Sequence, residues 1–197
     1  KHLRRERDRV IVESLLLGLG RSNSFRATPV LMNKAKRRGP QRLPAISALT
    51  LHGFKHHNGR AFLLDLLKSR YWQDRVLVVD GIGNTGDQSL AASVVSVLND
   101  DQWQVRLAAI ETLRKLRSAE WVEPLILQLE VEERLRLQKA IGQTLFVITG
   151  QNPYMDAPSW TGWWLAARSD FVMSKEIPVP HKSSGTISKG FYGLALD

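Results

Sequence analysis

The segment Trp72-Gln73-Asp74-Arg75-Val76 returns as Trp103-Gln104-Val105-Arg106-Leu107, 31 residues later. The same offset pairs Ala61 with Ala92, Leu63 with Val94, Leu64 with Val95 and Leu67 with Leu98. It also pairs Val79 with Ile110 and Ile82 with Leu113. Further on, Val105, Ala108 and Leu113 match Leu137, Ala140 and Leu145 at an offset of 32. A unit this short cannot bury its own apolar face. Repetition therefore constrains the chain to an architecture in which neighbouring units cover each other.

The spacing within each unit is helical. Val105, Ala108, Ala109, Ile110, Leu113 and Leu116 form one apolar stripe, and Val122, Leu125, Ile126 and Leu129 form a second, shorter one. Asn99-Asp100-Asp101 supplies capping side chains before the first stripe. Extending the pattern predicts helix pairs at 6–19 with 27–37, 43–52 with 59–69, 72–83 with 88–98 and 103–117 with 120–129. Single helices are predicted at 133–148 and 157–168. Arg37-Arg38-Gly39-Pro40 and Lys55-His56-His57-Asn58-Gly59 read as loops, and 174–190 as a Pro/Gly/Ser/Lys linker. The expected fold is all-α. It is an α-solenoid over 1–150 whose second helices line a concave face, then a capping-helix region at 151–173, then an extended tail at 174–197. The tail is expected to lead toward a further domain, since the chain starts at Lys1 and stops in an apolar run.

Composition excludes several classes of function. No cysteine is present, so disulfides, thiolate metal sites and cysteine nucleophiles are ruled out. No apolar stretch reaches the roughly 20 residues of a membrane span. Charge is uneven. Residues 1–75 hold 17 basic and 5 acidic residues, a net of +12, whereas 76–197 hold 11 and 14, a net of −3. Such a half is either a solvated basic surface or one that meets an acidic partner.

Asn99-Asp100-Asp101-x-x-Val105-Arg106-x-Ala108-Ala109-x-x-x-Leu113-x-x-Leu116 resembles the HEAT repeat in its phycobilisome-lyase-like form. Val79 to Asp87 resembles that family's helix-ending turn. The resemblance covers about 40–150, with a weaker first pair at 6–37, and implies fold far more than activity. Ile148-Thr149-Gly150-Gln151 followed by Trp160-x-x-Trp163-Trp164 is similar to the end of the HEAT array in a class of planctomycete-type proteins. In some of these a von Willebrand factor A domain follows a segment similar to Gly190-Phe191-Tyr192-Gly193. The Asp-x-Ser-x-Ser metal motif of that domain is not in this sequence.

Other constellations point to structure. Gly81-Ile82-Gly83-Asn84-Thr85-Gly86 fits G-x-G-x-x-G, the outline of a dinucleotide-binding turn. Too few residues follow it for a crossover helix, and it lies in register with the repeat, so it is read as a helix end. His52 and His56 have the i, i+4 spacing of a metal pair but sit in what reads as a polar loop, so no metal is expected. Trp72 and Trp103 share a repeat position and are expected to pack between layers, while Trp160, Trp163 and Trp164 are expected to cover the last helix pair. Arg75 and Arg106 are expected to bond carboxylates such as Asp74 or Asp101 and carbonyls of adjacent turns. Glu130, Glu132 and Glu133 are expected at helix starts, against the positive end of the macrodipole.

The function expected from these features is a non-catalytic scaffold that binds a protein or peptide, with no cofactor, no catalytic residues and no small-molecule substrate. The expected contacts are the basic residues on the second helices and loops of the first two pairs: Arg26, Lys34, Lys36, Arg37, Arg38, Lys55, Arg60 and Lys68. Nucleic-acid binding through the same basic half is the competing reading. A chromophore-lyase role, implied by the resemblance alone, is the third.

Overall fold

The structure is a computed structural model that describes residues 9–22, 24–152 and 154–178. Ten α-helices follow one another, and no strand occurs among the described residues. They are α1 (Arg9–Arg21), α2 (Ala27–Lys36), α3 (Arg42–Thr50), α4 (His57–Asp65), α5 (Trp72–Thr85), α6 (Ala91–Val95), α7 (Trp103–Leu116), α8 (Val122–Val131), α9 (Leu135–Thr149) and α10 (Ala157–Ala167). The helix-pair fold is the expected one. The chain forms two compact units, Lys1–Thr112 and Leu113–Asp197, divided within α7.

In the first unit the leading helices stack on one another, α1 on α3 and α3 on α5, while α2 packs on both α1 and α3. Val12, Leu16, Leu31, Ile46, Leu49, Leu63, Val78, Val79 and Ile82 are buried between them. This is the sharing of apolar faces that a short repeat requires. Gly81 sits where α5 crosses α3: a Cβ built on it would lie 2.5 Å from Thr50 Cβ and 3.2 Å from a Phe54 ring carbon. Gly86 ends α5 in the left-handed conformation at φ +68. The G-x-G-x-x-G segment is thus a helix with a glycine for close approach and a glycine for its end. It is not a phosphate loop.

Polar side chains tie each layer to the next. Arg42 at the start of α3 reaches Asp74 in α5 through Nε (3.3 Å) and Nη2, and its Nη1 donates to the Ala35 carbonyl. Asp74 is fully buried and also accepts from Ser69 Oγ at 2.6 Å. One layer on, Arg75 donates to both carboxylate oxygens of Asp100 (2.7 and 2.6 Å), to Asp101 (3.0 Å) and to the Ser69 carbonyl (2.6 Å). Arg106 donates to the carbonyls of Asp100 (2.8 Å) and Asp101 (3.4 Å). A ladder of arginines was expected. The partner of Asp74 differs from the expected Arg75: it is Arg42, from the layer before.

Other departures have local causes. The predicted helix at 88–98 is broken into a 3-10 turn (Gln88–Leu90), the short α6 and further turns. Ser96 Oγ bonds back to the Ser93 carbonyl, and Val97 and Leu98 make i−3 bonds, so the last turn tightens instead of extending. The predicted loop at 55–59 is largely helical, with Gly53–Lys55 in a 3-10 turn and α4 starting at His57. Gly59 acts there as a contact, not a breaker: its Cβ position is 2.6 Å from the Gly53 carbonyl oxygen. Trp72 and Trp103 are half-buried, not enclosed.

In the second unit α9 and α10 both pack on α8. Trp160 is fully buried, with its ring edge-on to Trp163 at 5.7 Å, and Phe171 lies edge-on to both Trp163 and Trp164. Asp156 caps α10 by accepting from Ser159 N at 2.9 Å, and proline stands in its first turn. Glu130 is not at a helix start. α8 runs two residues past its predicted end and places Glu130 in its last turn. Glu132 is buried and accepts from Arg134 N and Gln128 Nε2.

The predicted linker at 174–190 begins as a fastened segment. Arg117, at φ +39, donates to the carbonyls of Ser174 (2.9 Å), Glu176 (3.3 Å) and Lys175 (3.4 Å). From residue 179 onward the chain, with the Gly190 to Gly193 segment, lies outside the described residues, as do the first residues of the predicted helix at 6–19.

The buried joint gives a first prediction. Asp74→Ala leaves Arg42 without its counterion and is expected to cost about 3 kcal/mol in urea denaturation, the low end for a broken buried pair because Arg42 keeps some solvent access. The exposed Lys115→Ala is expected to stay within about 0.5 kcal/mol of the parent.

Candidate partner-binding groove

Helix α2 and the turn before it present one stripe, Phe25-Arg26, Pro29, Met32-Asn33 and Lys36, at three- and four-residue spacing. Opposite stand Lys55 and His56, then His57 and Asn58 in the first turn of α4. Between them lies a groove of about 780 Å³, with Thr28 also in its lining. Among the described residues its lining holds Arg26, Lys36 and Lys55 and no carboxylate. The first turn of α4 adds the positive end of its dipole to the same wall. Chemically, the groove is an anion-attracting surface with an apolar strip along its middle.

The base of the groove is fixed by His52. Read as part of a polar loop, this residue is in fact buried, only 2% exposed. Its Nδ1 lies 3.1 Å from the Gly20 carbonyl oxygen and its Nε2 3.1 Å from Thr28 Oγ1. A carbonyl only accepts, so Nδ1 carries the hydrogen and Nε2 accepts from the threonine. Both nitrogens are spent on structure, linking the ends of α1 and α3 to the start of α2. His56 stacks edge-on to His52 at 5.6 Å. Its Nε2 is buried and has no hydrogen-bond partner.

The eight expected contact residues separate into three sets. Arg26, Lys36 and Lys55 line the groove and are exposed. Arg26 also lies over the Phe25 ring (5.8 Å), and Lys36 over Phe62 (5.6 Å). Lys34 and Arg60 are held by the fold: Lys34 donates to Gln41 Oε1 at 2.6 Å, and Arg60 meets Asp87 (3.4 Å) and Ser89 (3.0 Å). Arg37, Arg38 and Lys68 are exposed outside the groove lining.

Sequence reasoning missed Phe25, Met32, Pro29 and His56. The i, i+4, i+7 spacing of Phe25, Pro29 and Met32 was visible, but nothing in it separates a groove-facing stripe from a core-facing one. It also missed Arg70 and Tyr71. Arg70 Nη2 donates to the Tyr71 hydroxyl at 2.6 Å, and Arg42 and Arg70 both lie over the ring. The hydrogen bond from Arg70, with the positive charges of Arg70, Arg38 and Arg42, holds this phenol below the ordinary tyrosine range.

A second, smaller groove of about 400 Å³ runs over the leading helices, lined by Glu13, Leu43, Ser47, Trp72 and Val76 among others. Among the described residues no cluster of three or more His, Asp or Glu side chains is arranged to hold a metal ion. No helix of the described residues is long and apolar enough to cross a membrane.

Residues 60–145 match the family model of HEAT repeats. Those residues carry HEAT repeats. The match covers the region where the 31-residue period is strongest. A solved structure with a similar fold is the complex of CpcE and CpcF of phycocyanin lyase from Nostoc sp. PCC7120. It is 15% identical, with a TM-score of 0.55, over 85% of this chain and 68% of the other. That likeness shows the HEAT-like fold alone. Among curated protein sequences, none matches the chain.

Burial is the main cause that lowers the pKa of His52 below its ordinary 6.5, with smaller contributions from the charges of His56 and Lys55, against the raising effect of the Gly20 bond. The folded chain therefore binds fewer protons here than the unfolded chain below pH 6.5. Stability that His52 contributes is present above that pH and is lost as pH falls through its lower folded pKa. Urea midpoints are expected to drop between pH 7 and about 5. His52→Gln, which keeps a donor for Gly20 and an acceptor for Thr28 without titrating there, is expected to lose that part of the slope.

Proposed function

We propose that this HEAT-repeat protein is a non-catalytic scaffold that binds a protein partner through the basic groove of its first unit. The observation that carries this reading is the convergence of Arg26, Lys36 and Lys55 on one groove whose middle is apolar. Their surroundings keep the three charges exposed, whereas Lys34 and Arg60 are committed to internal bonds. Pro29 and Met32 between them suit an aliphatic side chain, which a polypeptide offers and a phosphate backbone does not. Arg37, Arg38 and Lys68 extend the basic surface beyond the groove. The similar structure is itself a complex of two proteins, and this adds support to a partner-binding role.

Nucleic acid is the competitor, because it is drawn by the same charge. The test is a titration with polyglutamate and with a 20-nucleotide single-stranded DNA, repeated from 50 to 300 mM salt. Polyglutamate is expected to bind more tightly at 150 mM. Tighter DNA binding, with a log K against log salt slope of about −0.7 for each of several phosphates, would overturn the protein-partner reading.

A further inference from the structure

The dimensions of the groove narrow the partner's chemistry. Arg26 and Lys36 stand at opposite ends of α2, ten residues apart, or about 15 Å at the helix rise. A compact anion does not reach both. An extended chain covers that distance with about five residues at the rise of a strand. Pro29 and Met32 lie midway along the same stripe, and Phe25, 67% exposed, stands at the Arg26 end. Lys55 supplies positive charge from the opposite wall.

From this arrangement we infer that the groove binds an extended acidic peptide segment of about five residues, with carboxylates at both ends and an aliphatic side chain between them. The inference rests on the protein-partner reading and deepens it. Carboxylates at the ends meet Arg26 and Lys36, the aliphatic side chain covers Pro29 and Met32, and Lys55 meets a carboxylate from the other side. Among the described residues the lining has no Asp or Glu to repel such a segment, and a basic segment finds three like charges there.

Fluorescence anisotropy tests this with the full chain and three labelled pentapeptides at 50 mM salt: Glu-Glu-Leu-Glu-Glu, Glu-Glu-Gly-Glu-Glu and Lys-Lys-Leu-Lys-Lys. The first is expected to saturate, at least fivefold tighter than the second, and the third to show no binding. Arg26→Glu, Lys36→Glu and Lys55→Glu are each expected to weaken the first peptide at least fivefold. Lys115→Glu makes the same change of charge on the exposed surface of α7 and is expected to stay within twofold. All four sites are exposed, and thermal melts of the variants confirm that each is folded. Equal binding of the leucine and glycine peptides, or a groove variant no weaker than Lys115→Glu, overturns the inference. If polyglutamate binds but the pentapeptide does not, the five-residue inference fails and the protein-partner reading stands. If the DNA binds and loses affinity in the groove variants while the peptides do not bind, both fail in favour of nucleic acid.

Discussion

The stacking of α3 on α5 turns on one buried carboxylate. Asp74 is fully buried within α5 and is tolerable there only because Arg42 and Ser69 reach it. A buried pair of this kind adds little net stability over an apolar pair of the same shape. What it adds is register. A leucine stripe on α3 would pack against α5 at several rotations, whereas a guanidinium with two hydrogen bonds to one carboxylate accepts one. Arg75 repeats the device toward Asp100, and each arginine also holds a carbonyl at the end of the preceding segment. The groove is a product of that register, because α2 and the start of α4 are placed by the helices they pack on.

Much of this was legible in the sequence. A period of 31 residues with two apolar stripes per unit dictates helix pairs, and apart from the broken helix at 88–98 the pairs are found close to their predicted limits. The glycines of the helix-ending turn were also readable, since a turn in register with a repeat has a structural duty before any other. What was not legible depends on distance in space. Asp74 has an arginine next to it in sequence, and adjacency favoured Arg75. On a helix, adjacent residues point apart, so the carboxylate turned to the neighbouring layer. His52 read as part of a polar loop because Gly53 follows it, and then Lys55-His56-His57-Asn58-Gly59. Its burial comes from Gly20 and Thr28, which are 32 and 24 residues away.

The candidate site was half-visible for the same reason. Charge is additive along a sequence, so a basic half is countable. Whether its charges share a surface depends on rotation about each helix. Arg26 and Lys36 share a stripe of α2, while Lys34, two residues before Lys36, turns toward Gln41 and leaves the groove. The apolar residues that give the groove its middle carried no sign in the sequence, since Met32 reads as core until the fold shows it only half-buried.

Arg117 carries a consequence of a different kind. Its left-handed backbone and three carbonyl contacts bind the segment at 174–176 to the turn that follows α7. A helix end such as Ala167 would act as a loose hinge for whatever chain comes after it. Through Arg117, residues 174–176 are instead held against the turn that follows α7. Moving 174–176 away from that turn therefore means breaking one arginine's bonds to three peptide carbonyls.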